Sequence, residues 1–213
     1  MSRSAALAAP LEIRGSSWAG DPPQRAAARE RLIDATARCI VRGGIGSASV
    51  SAVADEAGVS RPTVYRYFED RHALVMATML RAGRVLAGGL AEHLRRFPQP
   101  ARKAIEAEVY VVNEVPLNPL LSEVWNTTLI DAAMLADLTH PEIIALAREA
   151  VAGLEAAAGW NDAEADEAVE LMLRMQVSLL VAPDPRRTDD ELRGFLERRL
   201  VPSLGLTSEP PES

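Results

Sequence analysis

The chain has 213 residues, 48% of them hydrophobic, which is enough to form a core in one domain or two closely packed ones. Its net charge of −7 excludes a protein that attracts nucleic acid through overall charge, so such binding would need a local excess of cations. From residue 21 to 81, nine arginines accompany seven acidic residues, whereas residues 82–213 hold twelve basic and twenty-two acidic side chains. Only the N-terminal third is therefore suited to contact phosphates.

The first segment, residues 1–23, is rich in Ala, Ser, Gly and Pro, and we expect it to be a disordered tail. Cys39 is the single cysteine, which excludes a disulfide within the chain and favours a reduced, buried thiol in a cytoplasmic protein. No segment is expected to reach the roughly 18 uncharged apolar residues of a membrane helix. We therefore predict no membrane insertion.

The remainder of the chain is predicted to be all-helical, with about nine helices and no strand. The first helix is expected from Gln24 to Arg42, ending at a glycine pair, and two short helices follow. Its apolar stripe consists of Leu32, Ile33, Thr36 and Ile40.

Helix four is predicted over residues 71–96 and contains Gly83, Gly88 and Gly89, which indicate either close helix packing or a flexible joint. Helix five is expected over residues 101–115, and a sixth helical segment over residues 120–138 follows two prolines. Three capping boxes mark later helix starts: Thr139 with Glu142, Asn161 with Glu164, and Thr188 with Glu191. Helices eight and nine are expected over residues 162–182 and 189–200, followed by a flexible tail over residues 205–213.

The stretch SVSAVADEAGVSRPTVYRYF, residues 49–68, predicts a helix-turn-helix. Ser49 is placed to cap the first short helix, and Gly58 supplies the left-handed residue that ends it. Ser60 is placed to cap the second helix, with Pro62 in its first turn. This arrangement presents the second helix to the DNA major groove.

The second helix carries arginine, threonine and tyrosine side chains and no acidic residue. Arg61 and Arg66 suit the paired acceptors of guanine, whereas Thr63 and Tyr67 suit phosphate oxygens. Arg71, after the predicted cap Asp70, is placed to hold another phosphate at the start of helix four. The predicted DNA-binding set is Ser49, Ser60, Arg61, Pro62, Thr63, Tyr65, Arg66, Tyr67 and Arg71.

These residues resemble the DNA-binding domain of the TetR family of bacterial repressors over residues 25–80. The matching positions are Ala54, Ala57-Gly58-Val59-Ser60, Thr63, Tyr65, Tyr67-Phe68 and Leu74. Arg71 stands where the family usually has lysine, and Pro62 is a second departure. The resemblance implies a DNA-binding domain over residues 24–81 and a ligand-binding and dimerisation domain over residues 82–204. It also implies a repressor that a small molecule releases from a palindromic operator.

The second domain is expected to form a homodimer and to bind a small effector. Apolar stripes on helix eight (Ala165, Val169, Met172, Met175, Leu179) and helix nine (Leu192, Phe195, Leu196, Leu200) suit a four-helix dimer interface. For Met172 and Met175, a place in the core of one subunit explains the pattern equally well. A pocket among helices four to eight is expected to use Tyr110, Asn113, Trp125, Asn126, Asp131, Met134, Met172 and Met175. Tyr110 and Trp125 would form its walls, and Asn126 or Asp131 would orient the ligand.

Two other classes of protein were weighed against this interpretation. An enzyme is disfavoured because the sequence has no nucleophile elbow, glycine-rich phosphate loop, metal-binding signature or paired catalytic cysteine. No cofactor or metal is therefore expected. A helical binding protein that has lost DNA recognition is disfavoured by Arg61 and Arg66. The sequence leaves open activation instead of repression.

Overall fold

The computed structural model describes residues 22–125, 140–183 and 187–207. Within these ranges the chain forms nine α-helices, two short 3-10 turns and no strand, which confirms the all-helical prediction. The 3-10 turns are Ile45–Ser47 and Val115–Leu117. The helices are α1 (Pro22–Gly43), α2 (Val50–Ala57), α3 (Arg61–Tyr65), α4 (Arg71–Leu94), α5 (Pro100–Glu114), α6 (Ser122–Trp125), α7 (Pro141–Ala158), α8 (Asp162–Val181) and α9 (Asp189–Ser203).

Helix α1 begins two residues earlier than predicted, because Pro22 and Pro23 belong to its first turn and not to the preceding tail. Proline is tolerated there, since the first amides of a helix have no partner within it. The predicted tail over residues 1–21 lies outside the described residues. The predicted stripe of α1 is confirmed, because Leu32, Ile33, Thr36 and Ile40 are all buried.

The first three helices and the start of α4 enclose one hydrophobic core, here called the N-terminal cluster. Cys39 lies in this core as a buried free thiol, as expected. The cluster is formed by Leu32, Ile33, Ala35, Cys39, Ile40, Ala48, Val53, Ala54, Val64, Phe68 and Leu74. Each short helix therefore buries part of its surface in this cluster.

Helix α4 connects this core to a second one, because Leu74 belongs to the N-terminal cluster while Leu90 and Leu94 belong to the other. Two of its glycines permit close packing. A methyl group on Gly83 would lie 3.0 Å from Leu146 Cδ2, and one on Gly89 would overlap the Tyr110 hydroxyl.

By length and composition alone, α4 is apolar enough to cross a membrane, contrary to the sequence-based expectation. Its apolar residues have another explanation in the structure, since α4 packs against α1, α5 and α7.

The second core, here called the C-terminal cluster, is built by α4, α5 and α7–α9. It contains five residues that were also candidates for a dimer interface: Val169 and Met172 on α8, and Leu192, Leu196 and Leu200 on α9. Ala165 on α8, another candidate, is also buried. These stripes therefore pack inside one subunit. An apolar stripe has the same helical period whether it faces a core or an interface. Here most of the buried stripe residues lie in the subunit's own core.

Two of the three predicted capping boxes are confirmed, at Asn161 with Glu164 and at Thr188 with Glu191. The third differs: Thr139 lies outside the described residues, and α7 is capped by His140, whose Nδ1 accepts from the Glu142 amide at 3.3 Å. Leu206, which was predicted to belong to a flexible C-terminal tail, packs against the C-terminal cluster, and residues 208–213 lie outside the described ranges.

Candidate DNA-binding surface and ligand cavity

The turn between α2 and α3 has the predicted geometry. Ser49 caps α2 by accepting a hydrogen bond from the Ala52 amide at 3.1 Å. Gly58 ends α2 in the left-handed region, with φ of 67°, which a residue with a side chain rarely adopts. The Val59 amide then donates to the Ala54 carbonyl at 2.9 Å, which closes the helix end. Local hydrogen bonds thus fix the angle between the two helices.

Ser60 occupies the capping position of α3 but makes no side-chain cap hydrogen bond, contrary to the prediction. Its hydroxyl instead lies 2.9 Å from Thr63 Oγ1. Pro62 is in the first turn of α3, as expected. Arg61 Nη2 donates to Ser51 Oγ at 2.6 Å, so the start of α3 is also linked to α2.

Helix α3 has one buried and one exposed side. Val64 is only 1% exposed and anchors the helix in the N-terminal cluster. On the other side Arg61, Tyr65 and Arg66 are exposed, and Thr63 is partly exposed. The two guanidinium groups are thus available to a partner outside the protein.

Arg66 is oriented by its neighbour. Its guanidinium lies 5.2 Å from the centroid of the Tyr67 ring, and its Nη2 donates to the Tyr67 hydroxyl at 3.3 Å. This contact restrains a long flexible side chain before any ligand binds. Tyr67 itself is partly exposed.

Arg71 has a different environment from the one expected for a phosphate contact. Its Nε donates to the Ala48 carbonyl at 3.0 Å, and its Nη2 donates to the Ile45 carbonyl. The side chain therefore holds the turn after α1 against the start of α4. Asp70 caps α4 as predicted, accepting from the Ala73 amide at 2.8 Å.

One carboxylate near this surface is neutralised by a pair of arginines that the sequence analysis did not single out. Glu56 accepts from Arg38 at 2.7 Å and from Arg42 at 2.6 Å. These hydrogen bonds, that from Arg38 first, lower the pKa of Glu56 below its usual value. Glu56 is therefore an ionised partner of α1, and its negative charge is balanced within the protein.

A cavity of about 140 Å³ lies between α4, α5, α7 and α8. Its lining is made of apolar residues and one glycine, with a single polar exception, Gln176 on α8. The α4 contribution is Gly83, Leu86, Ala87 and Leu90. The cavity therefore suits a mostly apolar molecule.

Few of the residues predicted to bind a ligand meet at this cavity. Met172 lines it, whereas Met175 packs against the C-terminal cluster and is not part of the lining. Tyr110 stacks on His93 with ring centroids 5.0 Å apart, and the Asn113 side chain is exposed and donates to Asp189 at 3.0 Å. The side chain of Trp125, and the whole of Asn126, Asp131 and Met134, lie outside what the structure describes.

Two polar residues beside the cavity were missed from the sequence. Glu108 on α5 is 0% exposed and accepts from Gln176 Nε2 at 3.4 Å, while its Oε2 has no hydrogen-bond partner among the described residues. Burial raises the pKa of Glu108 well above its usual range, and the bond from Gln176 opposes this only in part. Burial of Glu108 therefore favours its neutral form.

The chain is similar to known transcription regulators. The family described as "Bacterial regulatory proteins, tetR family" matches residues 32–78. An uncharacterized HTH-type transcriptional regulator of Mycobacterium tuberculosis is 29% identical over 199 residues, covering 89% of this chain and 91% of the relative. The HTH-type transcriptional regulator BetI of Cronobacter sakazakii is 38% identical over 76 residues, covering 36% of this chain and 38% of BetI.

Solved structures share the fold over most of the chain. RolR in complex with resorcinol has a TM-score of 0.62 at 17% identity, covering 91% of this chain and 99% of RolR. The repressor AlkX from Dietzia has a TM-score of 0.55 at 23% identity, covering 82% of this chain and 96% of AlkX. EbrR in complex with ethidium has a TM-score of 0.52 at 24% identity, covering 84% of this chain and 99% of EbrR.

These relatives are regulators and not enzymes, and the family match spans the helices that carry the exposed arginines. The chain is therefore similar to the TetR family of DNA-binding bacterial transcriptional regulators, with the family match over residues 32–78 and a shared fold over most of its length.

Proposed function

We propose that this protein is a cytoplasmic, dimeric repressor that binds a palindromic operator and leaves it when a small molecule enters the cavity. Residues 22–81 would form the DNA-binding domain and residues 82–204 the effector-binding and dimerisation domain. The observation that carries the proposal is the exposed pair of guanidinium groups of Arg61, at the start of α3, and Arg66, at its C-terminal cap, on a short helix that Val64 anchors in the core.

In this proposal Arg61 and Arg66 read base edges in the major groove, and Thr63 and Tyr67 contact phosphates. Ser49, Ser60, Pro62 and Tyr65 shape the surrounding surface. Arg61 would exchange its bond to Ser51 for one to a base. Arg71 would act by fixing the turn after α1, because its Nε and Nη2 already donate to carbonyls there.

The dimer would form through the surfaces of α8 and α9 that the subunit's own core leaves uncovered. Val181 is 39% exposed, and Leu171, Met175, Leu179 and Phe195 are each partly exposed. Two α3 helices related by a two-fold axis would bind half-sites about 34–36 Å apart, one turn of DNA, or a multiple of it. A single half-site bound as tightly as the full site would contradict this arrangement.

Release is proposed to depend on α4. Gly83, Leu86, Ala87 and Leu90 of this helix line the cavity, while Leu74 at its other end lies in the N-terminal cluster. A ligand that favours one position of α4 would change the separation of the two α3 helices, and only such a differential effect shifts the equilibrium. The complexes of RolR with resorcinol and EbrR with ethidium support small-molecule binding by this fold.

The test begins by selecting bound fragments from genomic DNA with the purified full-length protein. Fluorescence anisotropy then compares Arg66→Ala with the control Arg95→Ala. Arg95 is an exposed arginine at the C-terminal cap of α4, so its replacement changes the charge by the same amount. Loss of a base contact costs about 1–3 kcal/mol, so we expect operator affinity to fall about 5- to 150-fold for Arg66→Ala alone.

Equal losses on operator and random DNA would reduce Arg66 to a phosphate contact. An equal loss of operator affinity in Arg66→Ala and Arg95→Ala would show that α3 is not the helix that reads the DNA sequence. In a reporter strain, deletion of the gene should raise transcription from the selected promoter, and a fall would indicate an activator.

A further inference from the structure

The cavity between α4, α5, α7 and α8 has one polar end. Of the residues that line it, Gln176 alone has a polar side chain. The other residues of α8 that line the cavity, among them Met172 and Leu173 one turn earlier, are apolar. The amide of Gln176 is therefore the one side-chain group of the lining that can form a strong hydrogen bond to an occupant.

Glu108 lies behind Gln176 and determines which side of the amide is available. Gln176 Nε2 donates to Glu108 Oε1 at 3.4 Å, which engages one N–H of the amide and leaves the amide carbonyl without that partner. Glu108 is fully buried on α5, and its Oε2 makes no hydrogen bond within the described chain. The hydrogen bond stabilises both side chains, because a buried polar group without a partner raises the free energy of the folded state.

The size of the cavity limits the occupant. Its volume is about 140 Å³, and an apolar protein cavity of about 150 Å³ is known to hold benzene. A molecule with one six-membered ring, or an aliphatic molecule of similar bulk, therefore fits without displacing the lining.

The charge of the lining limits it further. Among the described residues, no Lys, Arg or His side chain lines the cavity, so a carboxylate or phosphate would lose its hydration without gaining a cationic partner from them. No carboxylate within the described ranges lines it either, and Glu108 contacts Gln176 without being part of the lining. An ammonium group would likewise lose its hydration without gaining an anionic partner in this lining.

We infer that the effector of this protein is an uncharged molecule of about the size of benzene with one hydrogen-bond donor, which binds the Gln176 carbonyl. Glu108 acts as a positioning residue that orients the amide. This inference rests on the proposed function, since it assigns the chemical class of the small molecule that the proposal requires.

The test measures binding of phenol, toluene, benzoate and benzylamine to the full-length protein by titration calorimetry near pH 7. Phenol and toluene have nearly the same shape but different free energies of transfer from water. This difference is the same for every variant, so the informative quantity is how the ratio of the two affinities changes between the wild type and each variant. We expect this ratio, phenol over toluene, to fall about tenfold in Gln176→Met, which corresponds to about 1.4 kcal/mol.

Two further variants keep the test interpretable. The double change Glu108→Met with Gln176→Met removes both partners of the buried pair, and it should retain toluene binding while losing the preference for phenol. Ala87→Leu narrows the cavity and should weaken both ligands. Thermal unfolding of each variant without ligand shows whether it has folded.

An unchanged phenol-to-toluene ratio in Gln176→Met would overturn the role of Gln176. Tighter binding of benzylamine or benzoate than of phenol would overturn the assignment of an uncharged effector, and no binding of phenol and toluene would overturn the size class. Release of operator DNA is measured separately. Phenol binding without release would refute the regulatory proposal and leave the description of the cavity intact.

Discussion

Glu108→Gln tests whether the carboxyl group on α5 is buried in its neutral form. The side chain is 0% exposed, and its one hydrogen bond among the described residues comes from Gln176 at 3.4 Å. Burial raises its pKa in the folded protein well above that in the unfolded chain. Between these two pKa values the folded state therefore binds more protons than the unfolded state.

The sign of the effect follows from this difference. The contribution of Glu108 to stability is fully present below its unfolded pKa of about 4.3 and is lost as pH rises through the folded pKa. A difference of one bound proton gives a slope of about 1.4 kcal/mol per pH unit. Glutamine does not titrate, so the stability of Glu108→Gln relative to the wild type should rise by up to this slope above about pH 4.3.

The assay is urea unfolding followed by circular dichroism between pH 5 and 8, at constant protein concentration because dimerisation affects stability. Glu92→Gln is the matched control, since Glu92 is 70% exposed and pairs with Arg95 on the surface of α4. It should show almost no pH-dependent difference. A pH-independent effect of Glu108→Gln would refute the neutral buried carboxyl, and a decrease with pH would indicate an ionised carboxylate with a stabilising partner.

Three further predictions concern α4 and the surface of α8. Gly88→Ala should stabilise the protein by about 0.5–1 kcal/mol, because nothing lies within 4 Å of the new methyl group. Gly89→Ala should destabilise it by about 1–3 kcal/mol, because the new methyl group displaces the hydroxyl of Tyr110. Thermal unfolding compares the two variants, and equal effects would contradict the close packing of Gly89 against Tyr110. Arg71→Ala should lower stability by about 1.5–3 kcal/mol in chemical unfolding, since it loses two hydrogen bonds to backbone carbonyls; unchanged stability with weaker DNA binding would instead assign a phosphate contact. Val181→Glu should raise the dimer dissociation constant at least tenfold in analytical ultracentrifugation, while Val85→Glu, at a more exposed valine of α4, should not; equal behaviour of the two would place the interface elsewhere.

The helix-turn-helix could be predicted from the sequence because its determinants are local. The Ser49 cap and the left-handed Gly58 act within a few residues, and their spacing alone specifies the turn. The Ser60 cap was wrong because a second hydroxyl three residues later, that of Thr63, competes for the same side chain.

The C-terminal half was harder to predict because its determinants are distant in sequence. An apolar stripe on a helix has the same period whether it faces its own core or a partner, so Val169 and Leu196 could not be assigned before the helices were placed. The cavity is lined by alanine, leucine and similar residues from four helices, which no local pattern distinguishes from ordinary core. Glu108 resembled a solvated residue, because only the packing of α5 reveals its burial.

Because α4 has 24 residues, it is about 36 Å long, and it belongs to two hydrophobic cores near its opposite ends. A rigid rod of that length multiplies small rotations: a tilt of about 5° at one end displaces the other by about 3 Å. That displacement matches the length of one hydrogen bond. A small tilt of α4 caused among the leucines near one end is therefore enlarged at its other end, next to the surface that we propose to contact DNA.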